Sequence, residues 1–226
     1  MRPVRYGFVV MGAAIAAWGQ LTAPQVVAKS LAARGGAAKF AAVTTMKFTG
    51  HLDLGGKAAA LTVYAAANPS RIRIELRLPQ GLLIQGFDGT TAWQVAPGAA
   101  AGATLPADQA RSVRDQAINF VDLIADPGLK TELAGQGTLE GHTYAAVKFT
   151  LPTGDAFTQY FDTQTWLAFH EEYPGGAEAI ADYRAVNGLL LPFRYISGPV
   201  GKPGTPLVRD TVTLNPALDP AIFRKP

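Results

Sequence analysis

The sequence has no cysteine among its 226 residues. Disulfide bonds are therefore excluded, although an exported protein could form them. A lipid anchor on an N-terminal cysteine is excluded as well. Only three histidines occur, without a His-Glu-x-x-His motif or a two-histidine helical spacing, so we predict no metal site and no cofactor. The apolar run at residues 7–17 is shorter than the roughly 20 residues that a membrane-spanning helix needs.

The beginning of the chain has the organisation of a secretory signal peptide. Arg2 and Arg5 precede the apolar run, and small residues follow it at 17–19 and 22–23. We predict a signal peptide over residues 1–23, with cleavage after Gly19 or Ala23, and a single domain over residues 24–226. A retained membrane anchor is the alternative. The predicted location is the periplasm, with the protein soluble after cleavage.

The balance of charge does not favour a nucleic-acid partner. The chain has 20 Lys and Arg against 17 Asp and Glu, and without the two arginines of the signal peptide 18 remain against 17. No basic stripe with interleaved aromatic residues is visible, so we expect no nucleic-acid binding. Apolar residues make up 48% of the chain, which is enough for a sizeable core or for a lined cavity.

Alternation of polar and apolar residues is the dominant pattern of the remaining chain. Residues 71–78 read Arg-Ile-Arg-Ile-Glu-Leu-Arg-Leu, which is typical of a strand with one wetted and one apolar face. About a dozen such segments, joined by short turns rich in Gly, Asn, Asp and Pro, predict an antiparallel meander. Helices are predicted at residues 24–33, 37–43 and 107–125.

These elements predict a mainly β protein with helices. The strands are expected to form a curved antiparallel sheet, an unclosed β-barrel of about a dozen strands, covered by an N-terminal helix and a central helix. The central helix interrupts the meander and must therefore cover a face of the sheet. It is either a fixed cap on the core or a mobile lid, and both interpretations stay open.

Sequence motifs for catalysis are absent. No serine lies in a Gly-x-Ser-x-Gly turn, and no glycine-rich phosphate-binding loop is present. His170, Glu171 and Glu172 form the most suggestive cluster, but on a strand Glu171 points away from the other two. A solvated strand edge is the favoured interpretation. We therefore predict no catalytic residues and no enzymatic activity.

Several short motifs gain meaning from their order along the chain. They are Ala32-Ala33-Arg34-Gly35-Gly36, Phe87-Asp88-Gly89 with Trp93, Tyr160-Phe161-Asp162 with Trp166-Leu167, Asp182-Tyr183-Arg184 with Val186-Asn187-Gly188 and Leu191-Pro192, and Leu218-Asp219-Pro220-Ala221-Ile222-Phe223. Together they resemble the periplasmic outer-membrane lipoprotein carriers (the LolA type) and their broader lipoprotein-sorting-like group. The resemblance implies an unclosed antiparallel barrel with helices at its mouth. It also implies a concave apolar surface that holds the acyl chains of a lipoprotein in transit.

A carrier of this kind has to enclose its cargo. Burying a methylene gains roughly 0.8 kcal/mol, so exposing a 16-carbon chain to water costs on the order of 12 kcal/mol. We predict that apolar side chains of the sheet line a cavity and that those of the central helix close it. The predicted lining is Phe48, Leu52, Ile72, Ile74, Leu76, Leu83 and Trp93 on the sheet, with Phe120, Val121 and Ile124 on the helix. Ordinary core packing is the competing interpretation of each residue.

The predicted function is a non-catalytic periplasmic carrier or chaperone for the acyl chains of lipoproteins or lipids. Its partners would be a lipidated protein or lipid, with donor and acceptor proteins at the inner and outer membranes, and we expect a monomer. The alternative is a ligand-sensing or protein-interaction module of the same fold, which would use the convex face or the loop at residues 198–206. A secreted hydrolase of an unrecognised type is a third hypothesis.

Overall fold

The computed structural model describes residues 21–118, 129–202 and 204–226. In this part of the chain, 13 strands form one antiparallel sheet. They are β1 (Thr45–Asp53), β2 (Ala58–Ala66), β3 (Arg71–Leu78), β4 (Gly81–Phe87), β5 (Ala92–Val95), β6 (Ala103–Thr104), β7 (Lys130–Leu139), β8 (His142–Thr150), β9 (Ala156–Asp162), β10 (Ala168–Tyr173), β11 (Gly176–Val186), β12 (Leu189–Gly198) and β13 (Thr205–Leu214). The helices are α1 (Ala23–Ala33), α2 (Ala37–Ala41), α3 (Ala107–Ile118) and a C-terminal 3-10 helix (Pro220–Phe223).

The order of strands in the sheet follows the chain except at one pair. β1 pairs with β13, so the sheet consists of two meanders, β6 to β1 and β13 to β7, joined along that pair. β6 and β7 are its two edges, and α3 lies between them in sequence. The sheet is therefore antiparallel and unclosed, which confirms the predicted fold class.

The local signals in the sequence explain most of these elements. β3 has the bounds that the alternation at Arg71–Leu78 predicts. Asn187 and Gly188 both have positive φ, 49° and 77°, and form the tight turn between β11 and β12 that an Asn-Gly pair favours. α1 begins with a capping box in which Thr22 N donates to Gln25 Oε1 at 2.9 Å and Thr22 Oγ1 accepts from Gln25 N at 3.4 Å.

A single cluster of buried side chains covers one face of the sheet, which we call the inner face. α1 contributes Val26 and Leu31 to it, α3 contributes Val113 and Ala117, and buried aromatic residues such as Phe149 come from the strands. α1 contacts β7 and β8, whereas α3 contacts β3, β4 and β5. The two helices thus pack on different parts of the same face.

The boundaries of some elements differ from the predictions. Residues 97–106, a segment rich in Gly and Ala that shows no strand pattern, include the short strand β6, which pairs with β5. β10 begins at Ala168 because the residues before it form a turn, where the Asp162 carboxylate accepts the backbone N–H groups of Gln164 and Thr165 at 2.8 and 2.9 Å. The predicted helix at 107–125 is described as far as Ile118. Within the described residues, no helix has the length and apolar character needed to span a bilayer.

Candidate ligand-binding cavity

A cavity of about 360 Å³ lies on the inner face of the sheet, where β13 and β1 to β4 are neighbours. Nine of its twelve lining residues are apolar, and the other three are Gln85, Gln116 and Arg209. The apolar residues are Met46, Phe48 and Leu52 of β1, Leu61 and Val63 of β2, Ile72, Ile74 and Leu76 of β3, and Leu207 of β13. Small-molecule sites in proteins have volumes of about 300–1,000 Å³ and the same predominantly apolar character.

The period-two pattern of β3 produces this lining. Ile72, Ile74 and Leu76 occupy alternate positions and therefore share the inner face, while the charged residues between them point outward. On β2, Val63 pairs with Ile74 and Leu61 pairs with Leu76. Directly opposite residues of an antiparallel pair have Cβ atoms about 4.5–5.5 Å apart, so these side chains form one continuous apolar surface.

The structure brings five of the predicted lining residues together around the cavity. They are Phe48, Leu52, Ile72, Ile74 and Leu76. Leu83 pairs with Leu76 across β3 and β4 and so shares its face, but it lies outside the lining. Phe120, Val121 and Ile124 lie outside the described residues. That these residues contact a ligand stays a prediction.

Trp93 lies on the opposite, outer face of the sheet, so its predicted position in the cavity is wrong. Its neighbour Ala92 pairs with Phe87 in the buried cluster, and the alternation along β5 then turns Trp93 outward. There the indole is fully buried, and its Nε1 donates to the carbonyl oxygen of Phe223 at 2.9 Å. Gly86 pairs with Trp93, and a Cβ at this glycine would lie only 2.4 Å from the indole Cζ2.

The polar residues of the cavity were not selected by the sequence analysis. Gln85 pairs with Ile74 across β3 and β4, and Gln116 reaches the cavity from α3. Arg209 lies two residues after Leu207 on β13, so alternation places both side chains on the inner face. That period-two spacing is the signal in the sequence that could have found Arg209.

α3 is also held by the turn between β8 and β9. Arg111 forms an ion pair with Asp155, and its Nη2 donates to the carbonyl oxygen of Thr153 at 3.0 Å. Asp115, one helical turn further along, faces the same acid. Burial, and then the hydrogen bond with Asp155, raise the pKa of the Asp115 carboxyl. The middle of α3 is therefore attached to this turn by an ion pair that lies next to a pair of carboxyl groups.

The histidine and acidic residues of β10 lie on two different faces of the strand. His170 Nε2 lies 3.6 Å from Glu172 Oε1, and these two side chains share a face, as predicted. Glu171 points away from them and accepts a hydrogen bond from Gln159 Nε2 at 2.8 Å. β10 pairs with both β9 and β11, so the solvated edge predicted for these residues is wrong. No group of three or more metal-ligating side chains occurs in the described ranges of the chain.

Comparison with known proteins gives matches at the level of structure. No protein-family model matches this sequence, and no curated protein matches it. A LolA superfamily protein from Nitrosomonas europaea has a TM-score of 0.63 at 14% identity, over 91% of this chain and 98% of that one. A DUF1329 family protein from Desulfovibrio piger has a TM-score of 0.62 at 10% identity, over 89% and 97%. A domain described as an outer membrane lipoprotein-sorting protein, from Vibrio parahaemolyticus, has a TM-score of 0.59 at 8% identity, over 89% and 95%.

The chain therefore has the fold of the LolA superfamily and of lipoprotein-sorting domains, the group that its motifs resemble. The likeness extends over nearly the whole of each compared protein, so it concerns the complete fold and not a shared fragment. At these sequence identities it establishes the fold alone.

Proposed function

We propose that the chain is a non-catalytic periplasmic carrier that binds the acyl chains of lipoproteins or lipids in the inner-face cavity. The observation that carries this proposal is the lining, in which nine of twelve residues are apolar and come from neighbouring strands of one sheet. The shared fold with a LolA superfamily protein and a lipoprotein-sorting domain supports it. In this proposal, the alternating apolar side chains of the strands form a binding surface as well as a core.

The dimensions of the cavity suit an acyl chain. Its lining crosses β13, β1, β2, β3 and β4, which are consecutive in the sheet, and at a spacing of ~4.8 Å these five strands cover about 19 Å. An acyl chain of one bilayer leaflet spans about half of the ~30 Å hydrocarbon core. A chain lying across the strands would therefore bury most of its methylenes, each of which contributes ~0.8 kcal/mol.

Purification without detergent from a bacterial periplasm tests whether the protein carries a ligand. We expect native mass spectra to contain a discrete added mass that disappears after organic extraction and matches an acylated species in the extract. A clean apo mass, together with no binding of added lipid or lipopeptide, would contradict the carrier proposal.

A matched pair of variants tests whether binding takes place in the cavity. Ile74→Trp fills the cavity from β3, whereas Arg77→Trp adds the same side chain to the exposed outer face of that strand. We expect Ile74→Trp to weaken lipid binding by about 10-fold or more, which corresponds to about 1.4 kcal/mol, and Arg77→Trp to leave it unchanged. If both variants fold and bind lipid with the same affinity, the lipid-binding site lies outside the cavity.

A protein-interaction module is the second candidate. The loop between β12 and β13 is shorter than the predicted loop at residues 198–206, because Gly198 and Thr205 belong to the strands. In this loop the side chain of Val200 is 71% exposed. An apolar side chain this exposed is either a scattered surface position or a contact with another molecule. This candidate is favoured if the protein binds no lipid while a photo-reactive residue at position 200 captures a periplasmic protein. Capture that is equally strong with the photo-reactive residue at position 77, on the exposed outer face of β3, would count against it.

A further inference from the structure

Arg209 introduces a cation into the otherwise uncharged wall of the cavity. It is the only charged residue among the twelve that line the cavity in the described part of the chain. Its guanidinium carbon lies 4.7 Å from the ring centroid of Phe48 and 4.8 Å from that of Tyr195. Two aromatic rings therefore fix the position of the cation, and contacts of this kind favour Arg over Lys because the guanidinium is planar and weakly hydrated.

The hydrogen-bonding capacity of Arg209 is only partly used. Nη1 donates to the carbonyl oxygen of Pro192 at 3.2 Å. Nε is buried and has no hydrogen-bond partner among the residues that the structure describes. A buried donor without an acceptor costs about 1–3 kcal/mol, and more when the group is charged. Arg209 thus lines an apolar cavity while one of its buried donors has no acceptor.

Glu178 is an acid whose charge interacts with that of Arg209. Burial raises the pKa of Glu178, and this effect exceeds the lowering that comes from the Ser197 hydrogen bond and from the charge of Arg209. A raised pKa means that this site disfavours the charged carboxylate, which is the form that would pair with a guanidinium. An anion from outside the chain would pair with Arg209 more completely.

We propose that Arg209 binds the anionic headgroup, a carboxylate or a phosphate, of the amphiphile whose acyl chain occupies the cavity. This inference rests on the proposed function and specifies its ligand class. A guanidinium presents neighbouring N–H donors in a plane that matches two oxygens of such a group. Because Arg209 is on β13, the headgroup lies at that end of the cavity, and the chain extends over β1 and β2 toward β3 and β4.

Three ligands with the same 16-carbon chain test this inference. The full-length mature protein, freed of lipid by organic extraction and refolded, is titrated with hexadecanoate, hexadecyl phosphate and hexadecanol at about pH 8, where a free carboxylate is ionised. We expect at least one of the two anions to bind about 10-fold more tightly than the alcohol, as charge-assisted hydrogen bonds would give. The anion that binds more tightly identifies the preferred headgroup as a carboxylate or a phosphate.

Substitutions at Arg209 assign the preference to this side chain. We expect Arg209→Gln to bring the anions to within about 2-fold of the alcohol, while Arg209→Lys keeps part of the preference because it keeps the charge. Arg194→Gln is the control, since Arg194 is exposed on the outer face of the neighbouring strand, where it pairs with Val208. Thermal unfolding checks that each variant is folded.

The possible results separate this inference from the carrier proposal. Binding of all three ligands with equal affinity, or an anion preference that survives in a folded Arg209→Gln variant, would overturn the role of Arg209 and leave the carrier proposal in place. Binding of none of the three by the folded wild-type protein would overturn both.

Discussion

At the scale of single residues, Asp162 determines the shape of the turn between β9 and β10. Besides the two backbone N–H groups of the turn, its carboxylate contacts His142 Nδ1 at 2.7 Å. Burial would raise the pKa of Asp162, but the hydrogen bonds from His142 and from the backbone outweigh it and lower the pKa. A lowered pKa means that the folded state favours the charged form. The stabilisation is therefore present above the unfolded pKa and is lost as the pH falls through the folded value.

We predict that Asp162→Ala lowers the free energy of unfolding by about 1–3 kcal/mol near neutral pH, because it removes the carboxylate that accepts hydrogen bonds from His142 and from two backbone N–H groups of the turn. Urea denaturation measures this difference. It should shrink as the pH falls through the lowered pKa of the wild-type carboxyl, because protonation removes the charge that accepts these hydrogen bonds. Asp162→Asn is the matched control, since its amide oxygen can still accept the two backbone N–H groups. A difference that stays constant from neutral to acidic pH would contradict the assignment.

The sequence correctly predicted which side chains of one strand share a face. It did not predict which face of the sheet the side chains of a short strand occupy. Alternation correctly groups Ile72, Ile74 and Leu76 on one face of β3, because successive side chains on a strand must point to opposite sides. It could not assign Trp93, since the face of a short strand such as β5 depends on its register with β4. The predicted cavity lining did not include Arg209 because it was restricted to apolar residues.

At the scale of elements, α3 links the two meanders of the sheet. Its buried residues pack with the β3–β5 region, and Arg111 and Asp115 reach the β8–β9 turn. A raised pKa at Asp115 means that the folded state favours the protonated carboxyl. Its contribution is therefore complete at pH values below the unfolded pKa and is lost as the pH rises through the folded value. The contribution of Asp115 to the attachment of α3 should accordingly be greatest in acid.

We predict that Asp115→Asn stabilises the attachment of α3 at neutral pH, because the amide cannot carry the charge that Asp155 repels. Amide hydrogen exchange of Ala107–Ile118, corrected for its intrinsic pH dependence, should be slower in the variant at neutral pH and equal to wild type in acid. Arg111→Gln, which removes the ion pair, should accelerate exchange at neutral pH. An unchanged pH dependence in Asp115→Asn would contradict the role of this carboxyl pair.

Elements with strong local sequence signals could be predicted. Elements that form only by pairing with a neighbouring strand could not. α1 was expected from its periodicity and Pro24, and its N-terminal capping residue Thr22 lies within the predicted signal peptide. Cleavage after Gly19 would retain Thr22 and Leu21, which packs against the core, whereas cleavage after Ala23 would remove both. β6 was missed because Ala103 and Thr104 are too few to show alternation. Only their pairing with β5 makes them a strand.

At the scale of the whole molecule, an unclosed sheet with one covered face provides a cavity without a separate domain. The number of strands and the short turns predicted the meander, and the family motifs predicted that it stays open. The pairing of β1 with β13 was not predictable, because it joins segments about 160 residues apart and no turn signal connects them. This pair brings Leu207 and Arg209 next to β1, so the composition of the cavity wall depends on it.

Photo-crosslinking tests most directly whether this inner face holds an acyl chain. A fatty acid with a diazirine near the end of its chain is bound to the mature protein and irradiated, and the crosslinked positions are mapped by peptide mass spectrometry. We predict crosslinks to inner-face residues such as Phe48, Ile74 and Leu76, competed by unlabelled lipid and lost in Ile74→Trp but not in Arg77→Trp. Competed crosslinks at outer-face positions or in the 198–206 loop, with the inner face unlabelled, would contradict the account.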